Sequence, residues 1–205
     1  MNPANLFNTR FAQLLIGLIM AVAWLAFSLL HVRAFNVSGN WVNLVFCATE
    51  TLTAMFFIMR TTPVTVSGSR ADWILAFVGT FAALLFVPSG NGILPGAAIL
   101  IYVGAVMHLG GMLSLNRSIG MVPARRIIKT GGLYRLVRHP LYASYIISSI
   151  GYLLINTSPR NVTIFAGTAA LLTMRLLREE RHLALDKNYR EYMARVKFRV
   201  LPFVF

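Results

Sequence analysis

The most chemically suggestive part of the sequence is the stretch GGLYRLVRHPLYASY, residues 131–145. It gathers Tyr134, Arg138, His139 and Tyr142 around a proline, Pro140, directly before an apolar run. Gly-Gly is a turn signal, and proline suits the first position of a helix. Because helix N-termini present free N–H groups, this cluster could bind an anion. The alternative is a belt of Tyr and Arg at the level of lipid headgroups.

A second cluster, RLLREERHL at residues 175–183, holds two of the six acidic residues of the chain, Glu179 and Glu180. Carboxylates near a helix C-terminus oppose the helix dipole. One interpretation is neutralisation by i,i+4 pairs with Arg175 and Arg178. The other is an acidic site for a cationic ligand, which is a functional interpretation.

Glu50 is the third candidate, because it lies inside an apolar run. An ionisable group within a membrane helix is a functional candidate by default. His108 or Arg175 could meet it across a helix bundle. A structural bond between helices and a contact with substrate are both consistent with this position.

These residues stand in a very apolar chain of 205 residues, of which 57% are hydrophobic and 12% charged. A soluble domain would carry about a quarter charged residues, so the composition predicts a membrane protein. The net charge of +13 is therefore attributed to cytoplasmic loops rather than to nucleic-acid binding. The single cysteine, Cys47, excludes a thiolate zinc cluster, and no metal site is expected.

The elements that must position the candidate residues are membrane helices. The predicted fold is an all-α integral membrane bundle of six transmembrane helices, with five plus a short hairpin as the alternative. The third and fifth apolar runs are short for a span of about 20 residues. The predicted spans are Phe11–Leu30, Trp41–Met59, Trp73–Val87, Ile93–Leu115, Leu141–Ile155 and Val162–Leu177.

Charge sets the predicted orientation. With both termini in the cytoplasm, 17 of the 19 Lys and Arg residues fall on the cytoplasmic side. The site would then face the cytoplasm. The tail 178–205 has apolar residues at helical spacing (Leu183, Tyr189, Tyr192, Val196) and predicts an amphipathic helix, which could rest on anionic headgroups.

The motifs of about residues 113–202 resemble the isoprenylcysteine carboxyl methyltransferase family, part of a wider group that includes phospholipid N-methyltransferases. The similar stretches are SLNRSIGMVPARRIIKTGGLYRLVRHP, RHPLY, EERHL, YREYMARV and VKFRVLP. Leu133 and Asn116 depart from the proline and glycine common there. The resemblance implies two parts: residues 1–112 as helices on the acceptor and lipid side, and residues 113–205 as the catalytic region.

The resemblance also implies S-adenosylmethionine as methyl donor, held without a Rossmann domain. Carried over to this sequence, the cofactor-binding residues are Tyr134, Arg138, His139, Pro140, Tyr142, Glu179, Glu180, Tyr189 and Tyr192. Aromatic faces and carboxylates suit a sulfonium and an ammonium, and a basic side chain suits the donor's carboxylate.

The acceptor is expected to be hydrophobic, with O-methylation of an isoprenylcysteine-like carboxylate favoured. Such an acceptor needs a cation to orient it, for which Arg175 is the candidate. An amine acceptor would need a base, for which Glu50 or Glu180 is the candidate. A thiol acceptor, an NADPH-dependent reductase of the sterol-reductase type and a membrane protein without enzymatic activity are the alternatives. The expected partners are membrane lipids and the acceptor; the oligomeric state stays open.

Overall fold

The computed structural model describes residues 10–58, 65–66, 69–115, 124–125 and 128–203. Asn116 and most of the loop that follows it lie outside the described residues. The helices in the described ranges are α1 (Arg10–Ser38), α2 (Trp41–Ile58), α3 (Arg70–Phe81), α4 (Ala98–Leu115), α5 (Pro140–Ile155), α6 (Pro159–Leu183) and α7 (Lys187–Arg195).

Short elements connect these helices. In the described ranges, three 3-10 helices cover Ala82–Leu85, Pro95–Ala97 and Gly132–Arg135. Two strands of two residues each, β1 (Thr65–Val66) and β2 (Ala124–Arg125), pair antiparallel with Thr65 opposite Arg125. The helical class predicted from the sequence is confirmed, with this small strand pair as the one addition seen in the described residues.

Two segments of the described chain are long and apolar enough to cross a membrane, Ala21–Ser38 in α1 and Pro95–Leu115, which includes α4. Helix α5 is apolar but shorter. The six-span count therefore stays a prediction.

The third predicted span, Trp73–Val87, is helical as far as Leu85, because the 3-10 helix Ala82–Leu85 follows α3 directly, and whether it crosses a membrane stays a prediction. The chain leaves helical geometry at Phe86 because asparagine side chains bind its backbone instead. The side chain of Asn161 accepts a hydrogen bond from the Val87 N–H at 3.2 Å and donates one to the Val87 carbonyl at 2.8 Å. The side chain of Asn156 accepts a hydrogen bond from the Ser89 N–H at 2.9 Å.

Helices α4 and α5 pack closely through small residues. An added methyl group at Gly104 would meet the Ser144 carbonyl oxygen at 3.1 Å and the Ser148 side chain, and one at Gly151 would meet the Ala97 carbonyl at 3.0 Å. Small residues allow close approach of membrane helices. This pair of helices is the rigid support on which the candidate residues of α5 stand.

An aromatic cluster joins the N-terminal helices to α5. The ring of His31 donates from Nδ1 to the Phe27 carbonyl at 2.9 Å, which leaves Nε2 to accept from the Tyr152 hydroxyl at 2.8 Å. Phe46 packs on Tyr152 with ring centroids 4.5 Å apart. All four side chains are buried, so α1, α2 and α5 share one core.

The tail is helical only in part, which corrects the prediction of one amphipathic helix. Helix α6 runs on to Leu183, α7 is separate, and residues 196–203 form a non-helical strap that returns to the start of α5. The apolar side chains of the tail pack on Tyr134 rather than on a lipid surface, because Tyr134, Tyr189 and Tyr192 form one buried group with Leu183 and Val196 against it.

Candidate active site

The turn before α5 has the geometry that its sequence predicts. Gly132 has φ +58°, which lies in the left-handed region, and it opens the 3-10 helix that carries Tyr134. His139 is non-helical at φ −132° and Pro140 is the first residue of α5. The chain therefore presents Arg138 and His139 together at the start of a helix.

Glu180 is the centre of the polar cluster. Its Oε1 accepts from Arg138 Nε at 2.6 Å and lies 3.3 Å from His139 Nε2, and its Oε2 accepts from Arg199 Nε at 2.5 Å. Burial by itself would raise the pKa of Glu180, but the hydrogen bonds from His139, Arg138 and Arg199 hold that pKa well below its usual range. The carboxyl group is therefore ionised and saturated with internal partners.

The Arg138 side chain donates its hydrogen bonds to other groups of the protein. Besides Glu180, its Nη1 donates to the carbonyl oxygens of Val196 and Lys197, both at 2.8 Å. The backbone N–H groups of Arg138 and His139 donate to the carbonyls of Phe198 and Arg199 at 2.9 and 2.8 Å. These bonds fasten the strap 196–203 over the beginning of α5. No spacing in the sequence indicates that Arg199 and the strap carbonyls join the site.

Glu179 faces a different partner from its neighbour. Its Oε2 accepts from the Tyr142 hydroxyl at 2.7 Å. The guanidinium of Arg175 lies 5.7 Å from the centre of the Tyr142 ring, and the His139 ring meets that tyrosine edge-on at 5.5 Å. Tyr142 thus connects His139, Arg175 and Glu179 into one surface.

The pairing predicted within residues 175–180 gives way to long-range partners. Arg178 donates to Asp72 of α3 at 2.9 Å, and Glu180 pairs across the bundle with Arg138 and Arg199. Glu180 is therefore compensated by the turn before α5 and by the strap, whereas Arg178 is compensated by α3.

Three tyrosines close one side of the cluster. The Tyr192 hydroxyl donates to the Tyr134 carbonyl at 2.6 Å, and the Tyr189 hydroxyl lies 3.5 Å from His139 Nε2. Burial raises the pKa of Tyr192 to about 12 and those of Tyr134 and Tyr189 further, so all three hydroxyls are neutral near neutral pH. They offer neutral, polarisable faces beside the charged groups.

An apolar cavity of about 190 Å³ adjoins this cluster. Its walls come from α5, α6 and the strap, and Tyr142 belongs both to the cavity and to the polar cluster. The lining residues are Tyr142, Ile146, Leu172, Thr173, Leu176, Val200 and Leu201. The arrangement places a charged site next to a space suited to hydrocarbon.

Glu50 lies elsewhere in the bundle, in a second cavity beside His108 and Tyr145. That cavity reaches Ser148 and Ser149, which are six and seven residues beyond Tyr142 and so about 10 Å farther along α5. Of the predicted site residues, ten gather around Glu180 and Tyr142: Tyr134, Arg138, His139, Pro140, Tyr142, Arg175, Glu179, Glu180, Tyr189 and Tyr192. Glu50 is the exception.

Fold and site together define the class: a helical protein with membrane-length apolar helices and a charged, tyrosine-walled site at one end of its bundle. Residues 94–185 match the model of the isoprenylcysteine carboxyl methyltransferase (ICMT) family. The match runs from α4 through α6, somewhat less than half of the chain, and over these residues it confirms the resemblance predicted from the motifs. A search of curated proteins gave no match to the chain.

Proposed function

We propose that this protein is a membrane-embedded methyltransferase that uses S-adenosylmethionine and acts on a hydrophobic or lipid-linked acceptor. The observation that carries the proposal is the meeting of Glu179, Tyr142 and His139 beside an apolar cavity, within the region that matches the ICMT family. One side of Tyr142 is charged and the other is hydrocarbon. A reaction between a charged donor and a hydrophobic acceptor needs a charged surface and an apolar surface next to each other.

The donor set fits S-adenosylmethionine. Both oxygens of Glu180 are engaged by arginine side chains, whereas Glu179 has only the Tyr142 bond on one oxygen among the described residues. We therefore assign the donor's ammonium group to Glu179, and to Glu180 the task of holding Arg138, His139 and Arg199 in place. Tyr134, Tyr142 and Tyr189 would supply aromatic faces to the cationic sulfonium.

His139 is the better placed of the two residues expected to hold the donor's carboxylate. Arg138 Nε and Nη1 are used by Glu180 and the strap, but His139 Nδ1 makes no hydrogen bond within the described residues, so an imidazolium whose Nε2–H faces Glu180 would donate its Nδ1–H to the donor's carboxylate. When bound, the donor supplies an electrophilic methyl group. The protein's part is to orient the two reactants and to exclude water, which together supply much of the rate.

The acceptor's hydrocarbon would occupy the apolar cavity between α5, α6 and the strap. Its walls are aliphatic except for Tyr142 and Thr173. Arg175, stacked on Tyr142, would stand at the boundary between this cavity and the donor site. A cation there can orient an anionic group of the acceptor.

Calorimetric binding to the purified protein tests this function. S-adenosylmethionine and S-adenosylhomocysteine should both bind to the wild type, and Glu179→Gln should weaken both about tenfold to a hundredfold because a charged hydrogen bond is lost. Glu191→Gln is the matched control, since that carboxylate is exposed and, among the described residues, pairs only with Lys187, at 3.9 Å. Binding of NADPH without either adenosyl ligand would replace this proposal with a reductase.

A further inference from the structure

The second cavity, around Glu50, is built from polar groups in the interior of the bundle. Helix α2 contributes Glu50, α4 contributes His108, and α5 contributes Ser148 and Ser149. These four side chains are between 2% and 8% exposed. Burying so many polar groups is costly unless they bind something.

His108 is already satisfied. Its Nε2 lies 2.9 Å from the Thr53 hydroxyl and its Nδ1 lies 3.2 Å from the Ser144 hydroxyl. Thr53 also meets the Tyr145 hydroxyl at 3.0 Å. This network fixes one wall of the cavity and leaves no ring nitrogen of His108 for Glu50.

Glu50 differs from every other acidic residue of the chain. Asp72, Glu179, Glu180, Asp186 and Glu191 each have a hydrogen bond or an ion pair. Within the described residues, Glu50 has neither, and the hydroxyls of Ser148 and Ser149 also make no hydrogen bond there. A carboxyl group and two hydroxyls thus face one cavity with their bonding capacity unused.

The size and chemistry of the cavity narrow the choice of ligand. Its volume is about 10 Å³, close to the smallest space that holds one water molecule. A primary ammonium group is of that size and donates three hydrogen bonds, which matches the carboxylate and the two hydroxyls. A trimethylammonium group is too large, and a carboxylate would face Glu50 with like charge.

We propose that the Glu50 cavity binds a primary ammonium group carried by the acceptor. The inference rests on the methyltransferase function proposed above, and it adds a substrate class: amphiphiles with a free amine. Adjacent residues of α5 line the two cavities, Tyr145 this one and Ile146 the apolar one, so the hydrocarbon of a bound amphiphile would have the apolar cavity nearby. Glu50 is assigned a binding role, and no covalent step is assigned to it.

Four probes with one chain and different headgroups test the assignment: dodecylamine, dodecyltrimethylammonium, dodecanol and dodecanoate. Binding is measured by thermal shift and calorimetry on the full-length protein in lipid nanodiscs, with S-adenosylhomocysteine binding measured on each preparation. Dodecylamine should bind to the wild type most tightly of the four. Glu50→Gln should weaken it about tenfold to a hundredfold, because the charged partner is removed without a change of shape.

The controls separate this inference from the proposed function. Glu191→Gln makes the same substitution on the surface and should leave amine binding unchanged. Ser149→Ala is a second variant, which should weaken amine binding by a smaller factor and keeps the test valid if Glu50→Gln fails to fold. If S-adenosylhomocysteine does not bind but the amine effect remains, the methyltransferase proposal fails and the ammonium site stands.

Three results would overturn the ammonium site. One is equal binding of all four probes, which would mean that only the chain is recognised. Another is amine binding that both Glu50→Gln and Ser149→Ala leave intact. The third is a preference for dodecanoate, which would assign the acceptor headgroup to Arg175 instead and leave the Glu50 cavity to a buried water molecule.

Discussion

Arg138 and Glu180, 42 residues apart in the sequence, form a 2.6 Å ion pair that is almost completely buried. The same arginine holds two carbonyl oxygens of the strap, and the same glutamate holds Arg199 of the strap. The pair therefore joins the start of α5, the end of α6 and residues 196–203 at one point. This ion pair therefore holds the three segments of the candidate active site together, and the neighbouring Glu179 is the carboxylate available to bind a ligand.

Removal of the arginine should be strongly destabilising. Arg138→Ala removes one donor of the buried Glu180, which keeps Arg199 and His139, and the side-chain donor of two strap carbonyls, and this costs about 3 kcal/mol of stability. Arg178→Gln is the control, since its pair with Asp72 is partly exposed and worth at most about 1 kcal/mol. Thermal melting of the solubilised variants measures both losses of stability. Equal melting temperatures for the two variants would contradict the role of Arg138 in holding the three segments together.

The stabilisation from Glu180 should depend on pH. Its pKa is lowered in the folded protein, so the contribution is complete above the ordinary value of 4.5 and is lost as pH falls toward the lower folded value. The melting temperature of wild type should exceed that of Glu180→Gln near neutral pH, and the gap should narrow below about pH 4.5. A gap that widens on acidification would reverse the assignment of the charged form.

The two glycines of the turn should respond very differently to alanine. Gly132→Ala places a side chain in the left-handed region and against the Ser114 hydroxyl, which costs about 1–2 kcal/mol. Gly131→Ala meets nothing within 4 Å and has an extended backbone, so its stability should stay near wild type. Melting curves compare them, and similar losses for both variants would show that the turn geometry is not what matters.

The contact between α4 and α5 predicts a partial rescue. Gly104→Ala should cost about 1–3 kcal/mol because its methyl group meets Ser148 and the Ser144 carbonyl. Addition of Ser148→Ala should recover part of this loss by removing the hydroxyl. Gly167→Ala in α6 faces open space and is the neutral control. Additive losses in the double variant would contradict the close approach of the two helices.

The Tyr142 hydroxyl should matter for the donor. Tyr142→Phe keeps the ring beside Arg175 but removes the bond to Glu179, and affinity for S-adenosylhomocysteine should fall about threefold to tenfold. Tyr102→Phe, on an exposed face of α4, is the matched control. Calorimetry gives both values. Unchanged binding in Tyr142→Phe would remove Glu179 from the donor site.

Local chemistry was readable directly from the residues. Gly131–Gly132 indicated the turn and His139–Pro140 indicated the helix start. Both are where the sequence placed them, because proline restricts the backbone and glycine permits the left-handed conformation that Gly132 adopts. The motifs of about residues 113–202 indicated the family resemblance, and the periodicity of Leu183, Tyr189, Tyr192 and Val196 indicated an apolar face. Each of these signals acts over a few residues.

Partners were decided only by the tertiary structure. One interpretation of the sequence was that Arg175 and Arg178 neutralise Glu179 and Glu180. In the folded structure Arg178 pairs with Asp72, and Glu180 pairs with Arg138, His139 and Arg199. Tertiary contacts also set the end of the third apolar helix, because the side chains of Asn156 and Asn161 bind the backbone just after it. A buried polar group takes whichever partner the packed helices bring within hydrogen-bond distance, and spacing along one helix does not contain that information. Glu50 shows the converse, since the same packing leaves it among hydroxyls with no partner in the described chain.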